Sequence, residues 1–307
     1  MRINYNLNLM KIKYLLFFII FGVTACNTTT KEEPNINKGV ITIAVDESIR
    51  PIMEAQINAH HIHYPGTKII TKYVPETKGI NMLLDDSLTM ACTTREFNEN
   101  ELAELKRRGI KYLPARMALD AVALVQNKAN KDTTITLEEL RRLFTDNESK
   151  TKLVFDRSNS SNLNVIMEKL KLKTINIENV FSADGNLQVI DYVKKSPNAL
   201  GFIGFNWISD TDDKQSQDLL NQINVVAVGE SEQKGFFKIN FKNLNQRRYP
   251  LERFVYLHTL TKAWGVENGF IRFCCSKTGQ LVTEKMGLVP FYIIPKEFLL
   301  NTSPMKK

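Results

Sequence analysis

The chain has 307 residues, of which 43% are hydrophobic and 24% are charged, and this globular composition excludes a disordered or low-complexity polypeptide. Its length suits one large domain or two lobes. The net charge of +8 comes from Lys and Arg residues scattered among acids, so we expect no nucleic-acid partner.

The N-terminal region has the pattern of a bacterial lipoprotein export signal. Residues 14–26 form an apolar run that follows two lysines and ends in Val-Thr-Ala-Cys. The run is shorter than the roughly 20 apolar residues of a membrane span, but it suits a cleaved signal. The ending resembles a lipobox, which implies lipidation of Cys26 and removal of residues 1–25. An ordinary secretory signal or a single anchor helix is the alternative, and Met10 is an alternative start to Met1.

A polar segment and then a folded body follow the signal. Residues 26–38 lack apolar periodicity, so we expect a flexible tether there. The body opens with strand and helix patterns in alternation, which predicts a mainly parallel sheet with helices on both faces. The predicted strands are residues 40–45, 67–74 and 88–92, the predicted helices are residues 48–64, 78–85 and 99–108, and residues 110–126 are extended.

The middle of the chain predicts a second lobe. Thr136 is placed to cap a helix that carries an apolar face over residues 137–144. Further predicted strands are residues 153–155, 199–205 and 224–228, and further predicted helices are residues 163–170 and 187–194. A strand at 251–259 and helices between 270 and 286 then rejoin the first lobe.

Two chain crossings, near residues 120 and 228, therefore predict a two-lobed α/β fold in which a hinge joins two sheets flanked by helices. Lobe 1 is expected to contain residues 39–120 and 229–307, and lobe 2 residues 121–228.

The remaining cysteines, Cys92, Cys274 and Cys275, are expected to be small buried hydrophobic residues. A disulfide from Cys92 to either of the other two is the alternative in an exported protein.

Four loops that connect a strand to a helix carry side chains suited to oxyanions. Such loops combine free backbone N–H groups, hydroxyl groups and the positive end of the helix dipole. The richest of them, residues 156–162, holds one guanidinium, three hydroxyl groups and two amides. Each loop taken alone is also explained by ordinary helix capping. The other three loops are residues 46–48, 75–79 and 93–95.

The order of these features resembles the phosphate-binding substrate-binding proteins of ABC importers, often described as PstS-like, which have the type II periplasmic-binding-protein fold. The resemblance covers nearly all of residues 39–295. Its sequence cues are residues 39–44, 137–144, 157–162, 197–202, 249–251, 279–280 and 287–290.

The resemblance implies a binding site for an oxyanion, an ABC permease as partner, a monomer, and no cofactor, metal or catalysed reaction. The family places an aspartate in the third loop, where it accepts the proton of hydrogen phosphate, whereas this chain has Thr-Arg-Glu at 94–96. Asp46, Glu76 or Asp156 is a candidate for that acceptor. The implied anion contacts are Ser48, Thr77, Thr94, Arg95, Arg157, Ser160, Ser161 and Asn162.

We therefore expect a lipid-anchored solute-binding protein of the bacterial cell envelope, periplasmic or surface-exposed. It would capture an inorganic oxyanion, with phosphate as the first candidate, by hinge closure. An enzyme is disfavoured because no histidine lies in a strand-to-helix loop and no Gly-x-Ser-x-Gly motif is present. His60 and His63 are expected at an exposed helix end rather than at a metal. The alternative is a tethered sensor or surface interaction lipoprotein without tight phosphate binding.

Overall fold

The computed structural model describes residues 35–146, 148–175 and 177–292. The predicted export signal, Cys26 and most of the predicted tether lie outside the described residues. Within these ranges, no helix combines the length and the apolar character that crossing a bilayer requires.

Strands and helices alternate along most of the described chain. The strands are β1 Gly39–Val45, β2 Thr67–Tyr73, β3 Ala91–Thr93, β4 Ala115–Asn127, β5 Thr134–Thr136, β6 Lys152–Phe155, β7 Val180–Ser182, β8 Ala199–Gly204, β9 Ile223–Val225, β10 Ala227–Gly229, β11 Glu252–His258 and β12 Val289–Pro290. The α-helices are α1 Arg50–His63, α2 Glu76–Leu84, α3 Glu99–Arg107, α4 Leu137–Thr145, α5 Ser161–Lys169, α6 Asn186–Lys195, α7 Lys214–Leu220, α8 Phe241–Asn245, α9 Val266–Cys275 and α10 Lys277–Lys285.

Ten of the strands in the described ranges form one mixed sheet. Its order is β2-β1-β3-β11-β4-β8-β6-β7, and β9 and β12 also pair with β4. The pairs β1–β2 and β1–β3 on one side, and β6–β7 and β6–β8 on the other, are parallel. The central pairs of β4 with β11 and with β8 are antiparallel. We call the part built on β1, β2, β3 and β11 lobe 1, and the part built on β6, β7 and β8 lobe 2.

The long strand β4 joins the two lobes. Its first half, residues 115–121, pairs with β11 of lobe 1, and its second half, residues 122–126, pairs with β8 of lobe 2. At the change of partner, the backbone N–H of Val122 donates to the Leu251 carbonyl and its own carbonyl accepts from the buried Tyr249 hydroxyl, at 2.9 Å each. The two-lobed α/β architecture expected from the sequence is confirmed, while the predicted lobe boundaries stay predictions.

The core explains why these segments pack as they do. Met117 to Val125 are all buried and, apart from Asp120, all apolar, which suits a strand covered on both faces. In lobe 2, the rings of Phe155 and Phe202 stack with their centroids 4.3 Å apart on neighbouring parallel strands. These aromatic residues bury a large apolar area and fix the register of β6 against β8.

The helix cap predicted at Thr136 is present. Its hydroxyl group accepts from the Glu139 N–H at 3.1 Å, and the Glu139 carboxylate accepts from the Thr136 N–H at 2.8 Å. This reciprocal capping box satisfies two backbone donors that the first turn of α4 would otherwise leave without partners.

Some predicted elements differ from the observed ones. Helices α2 and α5 each begin two residues before their predicted starts, at Glu76 and Ser161, directly after Pro75 and the capping residue Ser160. The predicted strand at 224–228 is two strands, since β9 pairs with β4 and β10 pairs with β5. The short helices α7 and α8 were not predicted from the sequence.

The prediction of an exposed helix end is wrong for His60. Its side chain is 1% exposed and packs against Phe270 and Phe273 of α9, with ring centroids 5.2 and 5.3 Å away. Burial lowers the pKa of His60 to about 4. His60 is therefore a core histidine, and no set of three or more His, Cys, Asp or Glu in the described ranges is arranged to hold a metal ion.

The cysteines of the described body are free thiols. Cys92 and Cys274 are buried and Cys275 is partly buried. Burial raises the pKa of all three thiols, to about 11 for Cys275. They pack as apolar side chains, as expected, and the alternative disulfide is not formed.

Candidate functional site

Four loops meet where the two lobes face each other. Loop 1 (residues 46–48), loop 2 (residues 75–77) and loop 3 (residues 93–95) follow β1, β2 and β3, whose carboxyl ends lie at one edge because these strands are parallel. Loop 4 (residues 156–162) follows β6 of lobe 2. Hydrogen bonds between side chains of these loops show that all four converge.

Asp46 lies at the centre of this convergence and is 4% exposed. One of its carboxylate oxygens, Oδ1, accepts from the N–H and hydroxyl of Ser48, at 3.0 and 2.5 Å, and from the hydroxyl of Ser161, at 2.8 Å. The other oxygen, Oδ2, accepts from the N–H of Glu76 at 3.1 Å. Donors from three loops and both lobes thus converge on one carboxylate.

The Glu76 carboxylate accepts hydrogen bonds from loop 3. It is 2% exposed, and its Oε2 accepts from the N–H and the hydroxyl of Thr94 at 2.7 and 2.8 Å. The Nε of Arg95 lies 3.3 Å from its Oε1. Burial, together with the nearby Asp46 carboxylate, raises the pKa of Glu76, while the hydrogen bonds from Thr94 and the charge of Arg95 oppose that rise.

The guanidinium of Arg95 is held by lobe 1. It donates to both carboxylate oxygens of Glu101, at 2.7 and 2.9 Å, in addition to its contact with Glu76. This fork geometry fixes the plane of the guanidinium and leaves little of its donor capacity for a ligand.

Asp156 accepts hydrogen bonds from the side chains of its own loop, loop 4. Its carboxylate accepts from the Ser160 hydroxyl and, at 2.9 Å, from the side-chain amide of Asn162. Burial and the negative charge of Asp46 raise the pKa of Asp156 to about 6. Ser160 also caps helix α5, because its hydroxyl oxygen accepts from the Leu163 N–H.

A further carboxylate joins the lobes beside this cluster. Glu47 accepts from the side-chain amide of Asn186, the first residue of α6 in lobe 2. Gly185 precedes it with φ +109°, and a Cβ there would lie 3.2 Å from a carboxylate oxygen of Glu47. Burial, with Asp156 as the next cause, raises the pKa of Glu47 to about 7.

The predicted anion contacts fall into two groups. Thr77 is exposed on α2, and Arg157 is partly exposed, with its buried Nε lacking a hydrogen-bond partner in the described residues. Six others lie within the hydrogen-bonded cluster formed by loops 1, 3 and 4, namely Ser48, Thr94, Arg95, Ser160, Ser161 and Asn162. The structure therefore groups six of the eight predicted residues, and their role in binding stays a prediction.

A buried ion pair beneath the cluster was missed by the sequence reasoning. The Nε and Nη2 of Arg253 lie 3.0 and 2.8 Å from Oδ2 of Asp120, and its Nη1 donates to the side-chain oxygen of Asn162 at 2.8 Å. Asn206 donates from its backbone to Asp120 and from its side chain to the Ser48 carbonyl. The available signals were the single acid in the apolar run of β4 and the single arginine of β11.

The lobes are in direct contact at this site. The hydroxyl groups of Ser48 and Ser161 lie 2.9 Å apart, and the bonds of Ser161 to Asp46 and of Asn206 to the Ser48 carbonyl also cross between the lobes. The cleft is therefore closed at its centre. A cavity of about 340 Å³ remains at one side of the cluster, lined by Thr94, Arg95, Val165, Lys169, Arg253 and Tyr256 among others.

Comparison with known proteins identifies the fold. Residues 28–278 match the PBP superfamily domain. The phosphate-binding protein PstS of Pseudomonas aeruginosa is 22% identical over 320 residues, covering 92% of this chain and 95% of that protein.

Two solved structures extend the comparison. A phosphate ABC transporter substrate-binding protein from Clostridium perfringens, with bound phosphate, has a TM-score of 0.68 at 20% identity and covers 83% of this chain and 100% of that one. An ABC-type phosphate transport receptor from Vibrio cholerae has a TM-score of 0.61 at 21% identity, with coverages of 82% and 100%. The likeness shows the two-lobed type II periplasmic-binding-protein fold.

Proposed function

Because the chain belongs to the PBP superfamily, we propose that it is a solute-binding protein that captures an inorganic oxyanion and delivers it to an ABC permease. Phosphate is the first candidate, since the similar proteins from Pseudomonas aeruginosa, Clostridium perfringens and Vibrio cholerae are described as phosphate-binding or phosphate-transport proteins. The observation that carries the proposal is the gathering of buried donors from loops of both lobes in one hydrogen-bonded cluster, namely Ser48, Thr94, Ser160, Ser161 and Asn162.

The proposed capture is a hinge closure about β4. Loops 1 and 3 of lobe 1 would hold one side of the anion, and loop 4 of lobe 2 would close over the other. Ser161 and Glu76 are the first residues of α5 and α2, so two helix N-termini lie at this place, and the Glu76 N–H that donates to Asp46 is one of the donors they supply. These donors would replace the hydration shell of the anion without any covalent chemistry.

The acids of the site support phosphate over sulfate. Asp46, Glu76 and Asp156 all lie in the cluster, although the third loop lacks the aspartate of the family pattern. A carboxylate accepts a hydrogen bond from the acidic proton of hydrogen phosphate, whereas sulfate has no proton to donate and is repelled.

Fluorescence titration with phosphate and with sulfate tests the proposal. Trp207 is 7% exposed and adjoins Asn206, whereas Trp264 is 62% exposed, so a Trp264→Phe variant isolates the signal from beside the cleft. We expect a saturable change in Trp207 emission with phosphate and none with sulfate. The absence of any saturable response to phosphate below millimolar concentration would contradict the proposed function.

We also propose that the protein is held at the bilayer of a bacterial cell envelope by lipid on Cys26, and that it acts as a monomer. Several acyl chains on one residue anchor a protein far more firmly than one chain does. Cells supplied with radioactive palmitate should label the wild-type protein and not a Cys26→Ala variant. An unlabelled wild-type protein would contradict the proposed lipidation of Cys26.

The second candidate is a tethered sensor or surface interaction lipoprotein that keeps the fold without tight phosphate binding. It is favoured by the engagement of the oxyanion donors with carboxylates of the chain itself. A folded protein that ignores phosphate in the titration, encoded apart from any permease or ATPase, is the outcome that this candidate expects.

A further inference from the structure

The carboxylate of Asp46 occupies the kind of environment that the proposed function assigns to the captured anion. It is buried, it accepts four hydrogen bonds, and its donors come from loop 1, loop 2 and loop 4. A carboxylate is itself an oxyanion, and the serine hydroxyls and backbone N–H groups that bind it are the donor types that bind phosphate.

The same contacts bring the lobes together. The bond from Ser161 to Asp46, 2.8 Å long, joins lobe 2 to lobe 1, and the Ser48 hydroxyl lies within hydrogen-bond distance of both residues. In a hinge-bending binding protein, an external ligand usually provides such bridging contacts. Here a side chain of the chain itself provides them.

We propose that Asp46 is a built-in competitor of the ligand: its carboxylate takes the anion's place between the lobes and thereby determines how tightly an oxyanion is held. The proposal rests on the proposed function of the same site. A tethered group competes at the high effective concentration that its linkage gives it, so even a modest intrinsic affinity weakens binding of a free anion.

The neighbouring acids strengthen the competition but do not replace Asp46. Glu76 engages donors of loop 3 and Asp156 engages donors of loop 4, so each of them holds donors within its own lobe. Asp46 alone among these three accepts side-chain hydrogen bonds from both lobes in the described structure. Removing Asp46 therefore frees donors on both sides of the cleft at once.

A competitor role and an acceptor role for Asp46 predict opposite changes in phosphate affinity when its side chain is removed, so an experiment can distinguish them. If Asp46 competes, an Asp46→Ala variant should bind inorganic phosphate at least about tenfold more tightly than the wild type in calorimetry, because the four groups that donate to Asp46 become free. If Asp46 instead accepts the proton of bound hydrogen phosphate, the same variant should bind more weakly. The matched control is Asp191→Ala, an exposed aspartate on α6 beside Lys194, which should leave the affinity unchanged.

A second variant and a second measurement distinguish a change in phosphate binding from misfolding of Asp46→Ala. Asp46→Asn keeps the size of the side chain without its charge and should bind phosphate with an affinity between those of wild type and Asp46→Ala. Small-angle X-ray scattering should show a larger radius of gyration for ligand-free Asp46→Ala than for ligand-free wild type, and phosphate should abolish that difference.

The possible outcomes separate this inference from the proposed function. Phosphate binding by the wild type with equal or weaker binding by both variants overturns the competitor role and leaves the proposed function intact. Failure of the wild type and both folded variants to bind phosphate overturns both. Binding by Asp46→Ala alone supports the competitor role and shows that the wild type itself does not capture phosphate, which contradicts the proposed function.

Discussion

At the scale of single residues, the cleft is dominated by acids that hold hydrogen-bond donors. Asp46, Glu76 and Asp156 each accept from serine, threonine or asparagine side chains, and two of them also accept from backbone N–H groups. The pKa values of Glu76 and Asp156 are raised by burial and by the charge of Asp46. An anion bound at the proposed site would therefore have to displace or neutralise negative charge.

The ion pair of Arg253 with Asp120 predicts a large loss of stability when one partner is removed. Both side chains are buried, so an Arg253→Leu variant leaves an uncompensated carboxylate in the hinge strand. We expect the free energy of unfolding to fall by about 3–5 kcal/mol in urea denaturation.

The matched control is Arg107→Leu, which removes one partner of an exposed pair with Glu104. That variant should lose little stability, because water and salt screen an exposed pair. Equal losses in Arg253→Leu and Arg107→Leu would show that the buried pair has no special role in the hinge.

Sequence reasoning named most of the polar residues of the cluster, including Asp46, Glu76 and Asp156 as candidate acceptors for a ligand proton, but it did not predict that these acids accept from donors of the chain itself. Ser48, Thr94 and Ser161 were identified because capping residues after strands are visible in the sequence. Thr77 was preferred to Glu76, yet α2 begins at Glu76 and turns Thr77 to solvent. Successive helical residues differ by about 100° in direction, so an error of one or two residues in a helix start exchanges a buried for an exposed side chain.

At the scale of elements, the contact between loop 1 and the first turn of α6 predicts a dependence of stability on pH. Folding raises the pKa of Glu47 from 4.5 to about 7, so the folded protein keeps a proton that the unfolded chain releases. This contribution to stability is complete below pH 4.5 and is lost as the pH rises through 7. The pKa of Asp156, raised from 3.8 to about 6, acts in the same direction.

Urea denaturation of the wild type and of Glu47→Gln between pH 4.5 and 8 measures this effect. The free energy of unfolding of the wild type should fall more steeply over this range than that of Glu47→Gln, because the amide does not titrate and still pairs with Asn186. Parallel curves for the two proteins would show that Glu47 does not carry the dependence.

The main elements were predictable because they are periodic or capped. The alternation of strands and helices gave the parallel pairs within each lobe, and the Thr136 cap located α4. The antiparallel pairing of β4 with both lobes was not predictable, since it depends on contacts between residues far apart in sequence. Helices α7 and α8 were missed because they are short, polar and held by packing rather than by intrinsic propensity.

At the scale of the whole molecule, one set of buried contacts connects strand β4, which runs through both lobes, to the residues at the centre of the closed cleft. Strand β4 runs through both lobes and carries Asp120 at the point where its partner strand changes. Arg253 connects that point to Asn162 at the first turn of α5, directly beside the Ser161 that bridges to Asp46. The proposed hinge opening would therefore rearrange the contacts of Asp46, Ser161 and Asn162 together.

A crystal structure of the protein grown with arsenate, an analogue of phosphate whose arsenic atom is located by anomalous scattering, would locate the proposed anion site directly. We expect one strong anomalous peak between the lobes, within hydrogen-bond distance of Ser48, Thr94 and Ser161, with the Asp46 carboxylate moved away from Ser161. A peak remote from these three residues, or a closed cleft that excludes arsenate in crystals of the wild type and of Asp46→Ala, would contradict it.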